Sequence, residues 1–144
     1  ISGHARQSVT QQIVRIDRKS DAPISESLQK QLVEFIEANI SQVDAIVCSD
    51  YGEGVMTQMV IAAALKHDLV VVDAQKDLGR YQGATIFTPN LPEAELAVGY
   101  GINLNNLQTA SQDLLNLTNA KQITMSIIET VALLIYVRGC SKAC

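Results

Sequence analysis

The chain has 144 residues, 47% hydrophobic and 18% charged, with a formal net charge of -4. That is enough apolar material for one buried core and too little charge for wholesale disorder. The acidic balance argues against a nucleic-acid footprint, which needs clustered Lys and Arg, and no apolar run nears the roughly 20 residues of a membrane-spanning helix. The first residues carry no signal-peptide pattern, so a cytoplasmic location is expected. Three cysteines make no disulfide framework. Cys48 ends an apolar run and reads as a small buried hydrophobe. Cys140 and Cys144 have C-x3-C spacing, but the two further ligands of a zinc site are not near them.

Residues 2–8 are polar and read as a flexible end. Residues 11–17 alternate around Ile13 and Ile16 and predict a partly exposed strand. Pro23 and Ser25 open a helix, with Ser25 as N-cap. Leu28, Leu32, Phe35 and Ile36 fall on one face of it. Residues 45–48 predict a short buried strand, 51–54 a Gly-rich turn and 55–67 a helix. Residues 69–72 form a second strand, continuous and β-branched, as parallel sheets prefer. Residues 77–83, with Arg80 and Tyr81, are a connection. Residues 85–88 form a third strand, closed by Pro89. These three strands are expected to be adjacent, central and buried on both faces.

Pro92 suits the first turn of a helix that runs to residue 98 and stops before Gly99. Residues 107–117 predict another helix and 122–125 a strand. The apolar stretch 126–137 fits strand–turn–strand or a helix, and periodicity does not arbitrate. This order of elements is that of an α/β unit with a mainly parallel sheet.

Three apolar runs each end in a turn that carries a carboxylate or an amide. Open α/β sheets present ligand groups in this way, at the carboxyl ends of their strands. Asn90 and Glu93, spaced i, i+3 at a helix start, share a face. An amide and a carboxylate there can hold a hydrated Mg2+ beside phosphate. The same pair also has the spacing of a capping box.

The blocks Ser-Asp-Tyr-Gly-Glu-Gly-Val at 49–55, Val-Val-Asp-Ala-Gln at 71–75 and Arg-Tyr-Gln-Gly-Ala-Thr-Ile-Phe-Thr-Pro-Asn-Leu-Pro-Glu at 80–93 follow in close order. Together they resemble the PfkB/ribokinase family of sugar kinases. Within it they are similar to the heptose 7-phosphate kinase branch, the kinase half of bifunctional ADP-heptose synthases. The upstream Gly-His-Ala-Arg-Gln-Ser-Val-Thr-Gln-Gln-Ile-Val-Arg-Ile-Asp is similar to that branch too, and the resemblance covers roughly residues 1–125. It implies a three-layer, ribokinase-like α/β fold with a mainly parallel sheet. It also implies ATP-dependent phosphorylation of a sugar phosphate, with ATP and Mg2+ as cofactors and no nucleic-acid or membrane partner. The apolar tail and a cut sheet edge would invite a homo-oligomer.

The resemblance carries Mg2+ and phosphate handling to Asn90 and Glu93. It makes Asp50 a candidate substrate contact, with an Asx-type turn as the alternative. Asp73 faces the nucleotide side or hydrogen-bonds the following turn. Arg6 and Gln7 fall in the segment of the substrate lid, or are exposed polar residues of a chain end. The departures are specific. Glu53 stands where relatives have Lys, and Asp73-Ala74-Gln75 where they often have Asp-Pro-Lys, so Lys76 offers its cation one residue late. The catalytic Asp-Thr-x-Gly-Ala-Gly-Asp block and the Gly-rich sugar-binding blocks are absent, and Ser126-Ile127-Ile128-Glu129-Thr130-Val131 replaces the expected Thr-Arg-x-x-x-Gly turn. No catalytic residue is therefore assigned. Residues 1–144 are expected to form a single, partial ribokinase-like domain, with a lid-strand segment at 1–20 and a divergent tail at 126–144. Such a chain is expected to be an inactive part of a kinase. The alternative is a non-catalytic remnant or interaction module on the same fold.

Overall fold

The computed structural model describes residues 2–4, 10–12, 16, 20–126 and 133–137. Strands β1 (Ser2–His4) and β2 (Thr10–Gln12) pair antiparallel as a small separate sheet. Residues 2–4 are thus a strand rather than a flexible end, because β2 supplies their backbone partners. The strand expected over 11–17 is described only at its start. Ile16 lies in no strand and is exposed.

The main sheet has five strands in chain order: β3 (Ile46–Asp50), β4 (Val70–Ala74), β5 (Ile86–Phe87), β6 (Gln122–Ser126) and β7 (Leu133–Val137). The first four run parallel and β7 returns antiparallel to β6. Of the ambiguous apolar stretch, Ser126 ends β6 and Leu133–Val137 form β7, while residues 127–132 lie outside the described residues.

Among the described residues, four α-helices lie between and before these strands: α1 (Glu26–Asn39), α2 (Gln58–Ala64), α3 (Leu91–Val98) and α4 (Leu107–Thr118). Ser25 caps α1, its hydroxyl accepting from the Leu28 N–H at 3.4 Å. Thr57 precedes α2 without a side-chain cap bond, and its hydroxyl donates to Gln29 Oε1 at 3.0 Å. α2 spans Gln58–Ala64 and is shorter than the pattern of residues 55–67. Gly99 ends α3 at φ 81, a left-handed conformation that glycine adopts without steric cost.

Alternate strand residues face opposite sides of the sheet. Cys48, Val70, Val72, Ala74, Phe87, Ile123 and Met125 are buried on one side, in one cluster with Ile61 of α2, Ala94 of α3 and Leu114 and Leu115 of α4. On the other side Val47 is 67% exposed, Ser49 is exposed, and Val71, Asp73, Ile86, Gln122 and Thr124 are half-buried. The expectation that β3, β4 and β5 are buried on both faces is corrected: the described helices pack on one. The apolar face of α1 is also turned from its expected position. Leu32, Val33 and Ile36 are half-buried, whereas Leu28 and Phe35 are 52% and 66% exposed. No described helix is long and apolar enough to cross a membrane.

Candidate functional site at the carboxyl edge of the sheet

β3 ends at Asp50, β4 ends one residue past Asp73, and β5 ends three residues before Asn90. Parallel pairing therefore brings Asp50, Asp73, Asn90 and Glu93 to one edge of the sheet, where α/β folds place ligands. It does not bring them to one pocket.

Asp50 is buried and engaged. Its Oδ2 accepts from the Tyr81 hydroxyl at 2.7 Å, its Oδ1 accepts from the Gly52 N–H at 2.9 Å, and Arg80 Nη1 lies 3.5 Å from Oδ2. The Gly52 contact is the geometry of an Asx turn. Arg80 also donates through Nη2 to the Met56 carbonyl. Tyr81 has no exposed surface, and burial together with its hydrogen bond to Asp50 pushes the phenol well above its usual range. Burial, assisted by the Asp50 charge, pushes the Cys48 thiol up to about 11. Cys48 is thus an unreactive core residue at neutral pH.

Asp73 sits opposite Ser49 on the open face of the sheet, half-buried. Among the described residues its carboxylate makes no hydrogen bond. Asn90 and Glu93 form a capping box at the start of α3. Asn90 Oδ1 accepts from the Glu93 N–H and Glu93 Oε2 accepts from the Asn90 N–H, both at 2.9 Å. The cap uses one oxygen of each side chain and leaves Glu93 Oε1 outside it.

Two depressions flank this edge. One, of about 440 Å³, is lined by Gln29, Asp50, Thr57, Gln58 and Arg80. The other, of about 530 Å³, is lined by Lys76, Asp77, Arg80, Glu93, Leu96 and Leu117. Arg80 lines both. Among the described residues no three His, Cys, Asp or Glu side chains converge as a metal cage. Mg2+ takes a few hard oxygens and completes its shell with water and substrate phosphate. Glu93 Oε1 is such an oxygen, so the donor set fits an ion that arrives with phosphate.

Arg6, Gln7, Cys140 and Cys144 lie outside the described residues. The residues that sequence reasoning passed over are Arg80 and Tyr81. Both stand in a block that carries the family resemblance, yet they read as a connection. Their partner Asp50 lies 31 positions upstream of Tyr81.

No protein-family model matches the chain. Curated relatives do. The bifunctional protein HldE of Citrifermentans bemidjiense is 40% identical over 116 residues, covering 76% of this chain and 24% of that protein. HldE of Pelobacter propionicus is 44% identical over 99 residues, covering 65% of this chain and 20% of that protein. HldE of Helicobacter pylori strain J99 is 38% identical over 109 residues, covering 71% and 24%. The chain thus spans a quarter or less of the length of these relatives. Among solved structures, the tetrameric inhibited form of phosphofructokinase-2 from Escherichia coli superposes with a TM-score of 0.70 at 18% identity, over 99% of this chain and 48% of that one. Phosphomethylpyrimidine kinase from Clostridium difficile does so with a TM-score of 0.54 at 18% identity, over 80% of this chain and 60% of that one. At such identity the likeness shows the fold alone. Over the residues matched, the chain is similar to the HldE proteins, and its fold is that of the phosphofructokinase-2 and phosphomethylpyrimidine kinase structures.

Proposed function

We propose that this chain supplies the nucleotide-and-metal side of an ATP-dependent kinase whose substrate is a heptose 7-phosphate. The observation that carries this reading is Glu93. It stands at a helix start on the carboxyl edge of the sheet, keeps one carboxylate oxygen outside its cap, and shares a depression with Lys76 and Arg80. The similarity to HldE proteins supports the substrate class. In this reading Asn90 and Glu93 hold Mg2+ through water beside ATP phosphates, and Asp73 lies on the nucleotide side. Asp50 lies on the sugar side, acting through the Arg80 that it orients, and the family resemblance alone adds Arg6 and Gln7 as sugar contacts.

Within its 144 residues the chain has no Gly-Ala-Gly-Asp block. Phosphoryl transfer depends on positioning and on stabilising charge. Loss of a general base costs about 10²–10⁴-fold, and loss of preorganised N–H donors costs a further ~10²–10³-fold. The chain by itself therefore binds Mg2+–nucleotide weakly and does not turn over. A second reading, a non-catalytic module on the same fold, is favoured by the internal satisfaction of Asp50 and of the Asn90–Glu93 cap.

A coupled ADP-release assay with ATP and a heptose 7-phosphate, run beside calorimetric titration of Mg2+–ATP, tests both. Binding that Glu93→Gln abolishes, without turnover, is the expected result. Turnover sensitive to Glu93 would refute the claim of inactivity, and absence of any nucleotide binding would refute the kinase-side reading.

A further inference from the structure

Helix α1 has three sides. Gln29, Val33 and Ile36 are half-buried on the side turned to the body of the protein. Glu26, Lys30, Glu34 and Glu37 gather on a second side, in water. Leu28, Gln31, Phe35 and Ala38 complete the circle, exposed and without charge. That uncharged side continues off the helix. A groove of about 250 Å³ runs from Phe35 past Val43 to Ile46, at the start of β3. Val43 is 44% exposed, and beyond it Val47 stands in water on the open face of the sheet.

Among the described residues β3 has a neighbouring strand on one side only, β4. The Ile46 N–H donates to the Leu69 carbonyl at 3.0 Å, and the Asp50 carbonyl accepts from the Gln75 N–H at 3.1 Å. Backbone groups alternate sides along a strand, so Val47 and Ser49 turn their N–H and C=O outward. Proteins usually blunt such an edge with Lys or Pro. β3 reads Ile-Val-Cys-Ser-Asp and has neither. Its one charge, Asp50, is engaged by Tyr81 and Arg80.

We propose that a second copy of this chain docks here, the two β3 strands pairing antiparallel about Cys48 and the two α1 helices meeting through their uncharged sides. Three arguments choose a second copy as the occupant. A two-fold contact sets each patch against itself, and a patch without charge does not repel itself; the cores of protein interfaces are likewise poor in charge. The outward residues Val47 and Ser49 lie symmetrically about Cys48, so each Val47 exchanges both backbone bonds with Ser49 of the second copy, and all the outward groups of both residues are satisfied. The area also fits. Leu28, Phe35, Val43 and Val47 together expose roughly 400 Å², about half of the ~800 Å² per partner of a standard interface, before the strand backbone and the uncharged flank are added. The groove shares no lining residue with the two depressions at the carboxyl edge, so the dimer stands or falls apart from the kinase-side reading.

The test is sedimentation velocity of the whole chain over a concentration series, with amide hydrogen exchange followed at the lowest and highest concentrations. The variants are Phe35→Glu on the helix and Val47→Lys on the strand edge. Leu104→Lys is the control, an exposed apolar residue in the loop between α3 and α4. All three positions are exposed, and circular dichroism checks that each variant folds. The parent should show a monomer–dimer equilibrium, and the Val47 and Ser49 amides should gain protection as concentration rises. Phe35→Glu and Val47→Lys should each weaken the dimer about ten-fold or more, and Leu104→Lys should stay within about two-fold of the parent. A parent that remains monomeric throughout the series overturns the proposal. So does a dimer that tolerates both Phe35→Glu and Val47→Lys, or one whose formation leaves exchange at Val47 and Ser49 unchanged, since another surface would then join the copies.

Discussion

Replacing Tyr81 by Phe removes one hydroxyl and little volume. That hydroxyl belongs to a side chain with no exposed surface and donates to Asp50 Oδ2 at 2.7 Å. A hydrogen bond to a charged group contributes about 1.5–3 kcal/mol net. Tyr81→Phe should fall near the lower end, because Asp50 keeps the Gly52 N–H and Arg80 and is not orphaned. Asp50→Ala should cost more, roughly 3 kcal/mol, because it leaves the Tyr81 hydroxyl buried without a partner. The Arg80 charge adds little to that figure: its side chain is 38% exposed, and water screens such pairs. Urea unfolding followed by circular dichroism measures both. With a slope of about 1.5–2 kcal/mol per molar urea, Tyr81→Phe should lower the midpoint by about 1 M. The double variant should cost less than the sum of the two, since both remove one shared contact. If Tyr81→Phe left the midpoint within about 0.2 M of the parent while Mg2+–nucleotide binding fell, the reasoning would be refuted. Asp50 would then be a ligand group and not the hub of a buried network.

Glu93→Gln should separate the cap from the site: Gln preserves a capping box, so unfolding midpoints should barely move while Mg2+–nucleotide binding falls. Asn90→Ala removes the cap oxygen and should cost about 1 kcal/mol of stability in the same urea assay. The Cys48 thiol, raised from 9.0 to about 11 by burial, keeps its proton when folded at pH values where the unfolded chain has lost it. Stability should therefore fall as pH rises between those values, and Cys48→Ala should flatten that slope in urea titrations across the window. Gly54→Ala should destabilise by more than about 3 kcal/mol, because a Cβ there would lie 2.0 Å from the Ala22 carbonyl oxygen at φ 77. Gly52→Ala, at φ 74 with nothing within 4 Å, should cost only about 1–2 kcal/mol, and thermal melts of the pair would show the difference.

Much of the fold was legible because its signals are local. Ser25, Pro92, Gly99 and the Asn90–Glu93 spacing mark helix ends through contacts only a few residues apart. The runs 45–48, 69–72 and 85–88 mark parallel strands by composition. What the runs do not encode is a second covering layer. Val70-Val71-Val72 reads the same whether Val71 faces a helix or water, and here Val71 is half-buried while its neighbours are buried. The rotation of α1 was hidden for a different reason. The Gln29 side chain amide donates to the Ile24 carbonyl at 2.8 Å, and its oxygen accepts from Thr57, 28 positions away. Apolar periodicity counts Leu28 and Phe35 but cannot count that polar tie.

The candidate site divides along the same line. The Asn90–Glu93 pair offered two readings, a helix cap or a metal-facing amide and carboxylate, and the geometry shows the cap. The two are compatible for Glu93, whose Oε1 lies outside the cap, whereas the single side-chain oxygen of Asn90 already accepts within it. A capped Glu93 has lost rotamer freedom before any ligand arrives, so less ordering entropy remains to oppose binding. The same logic applies to Arg80. Asp50 and the Met56 carbonyl hold its guanidinium between the two depressions, so a change on one side reaches the other through a group that is already fixed. On the proposed reading, Asp50 would act on substrate through Arg80 without touching it. Asp50→Asn keeps the Asx-turn oxygen but removes the charge that orients Arg80. It should therefore shift nucleotide affinity and stability together, whereas Asp73→Asn, on the open face, should leave stability unchanged. Titrating both variants with Mg2+–ADP beside urea unfolding decides it. An Asp50→Asn chain with parent stability and parent affinity would show that Arg80 does not couple the two depressions.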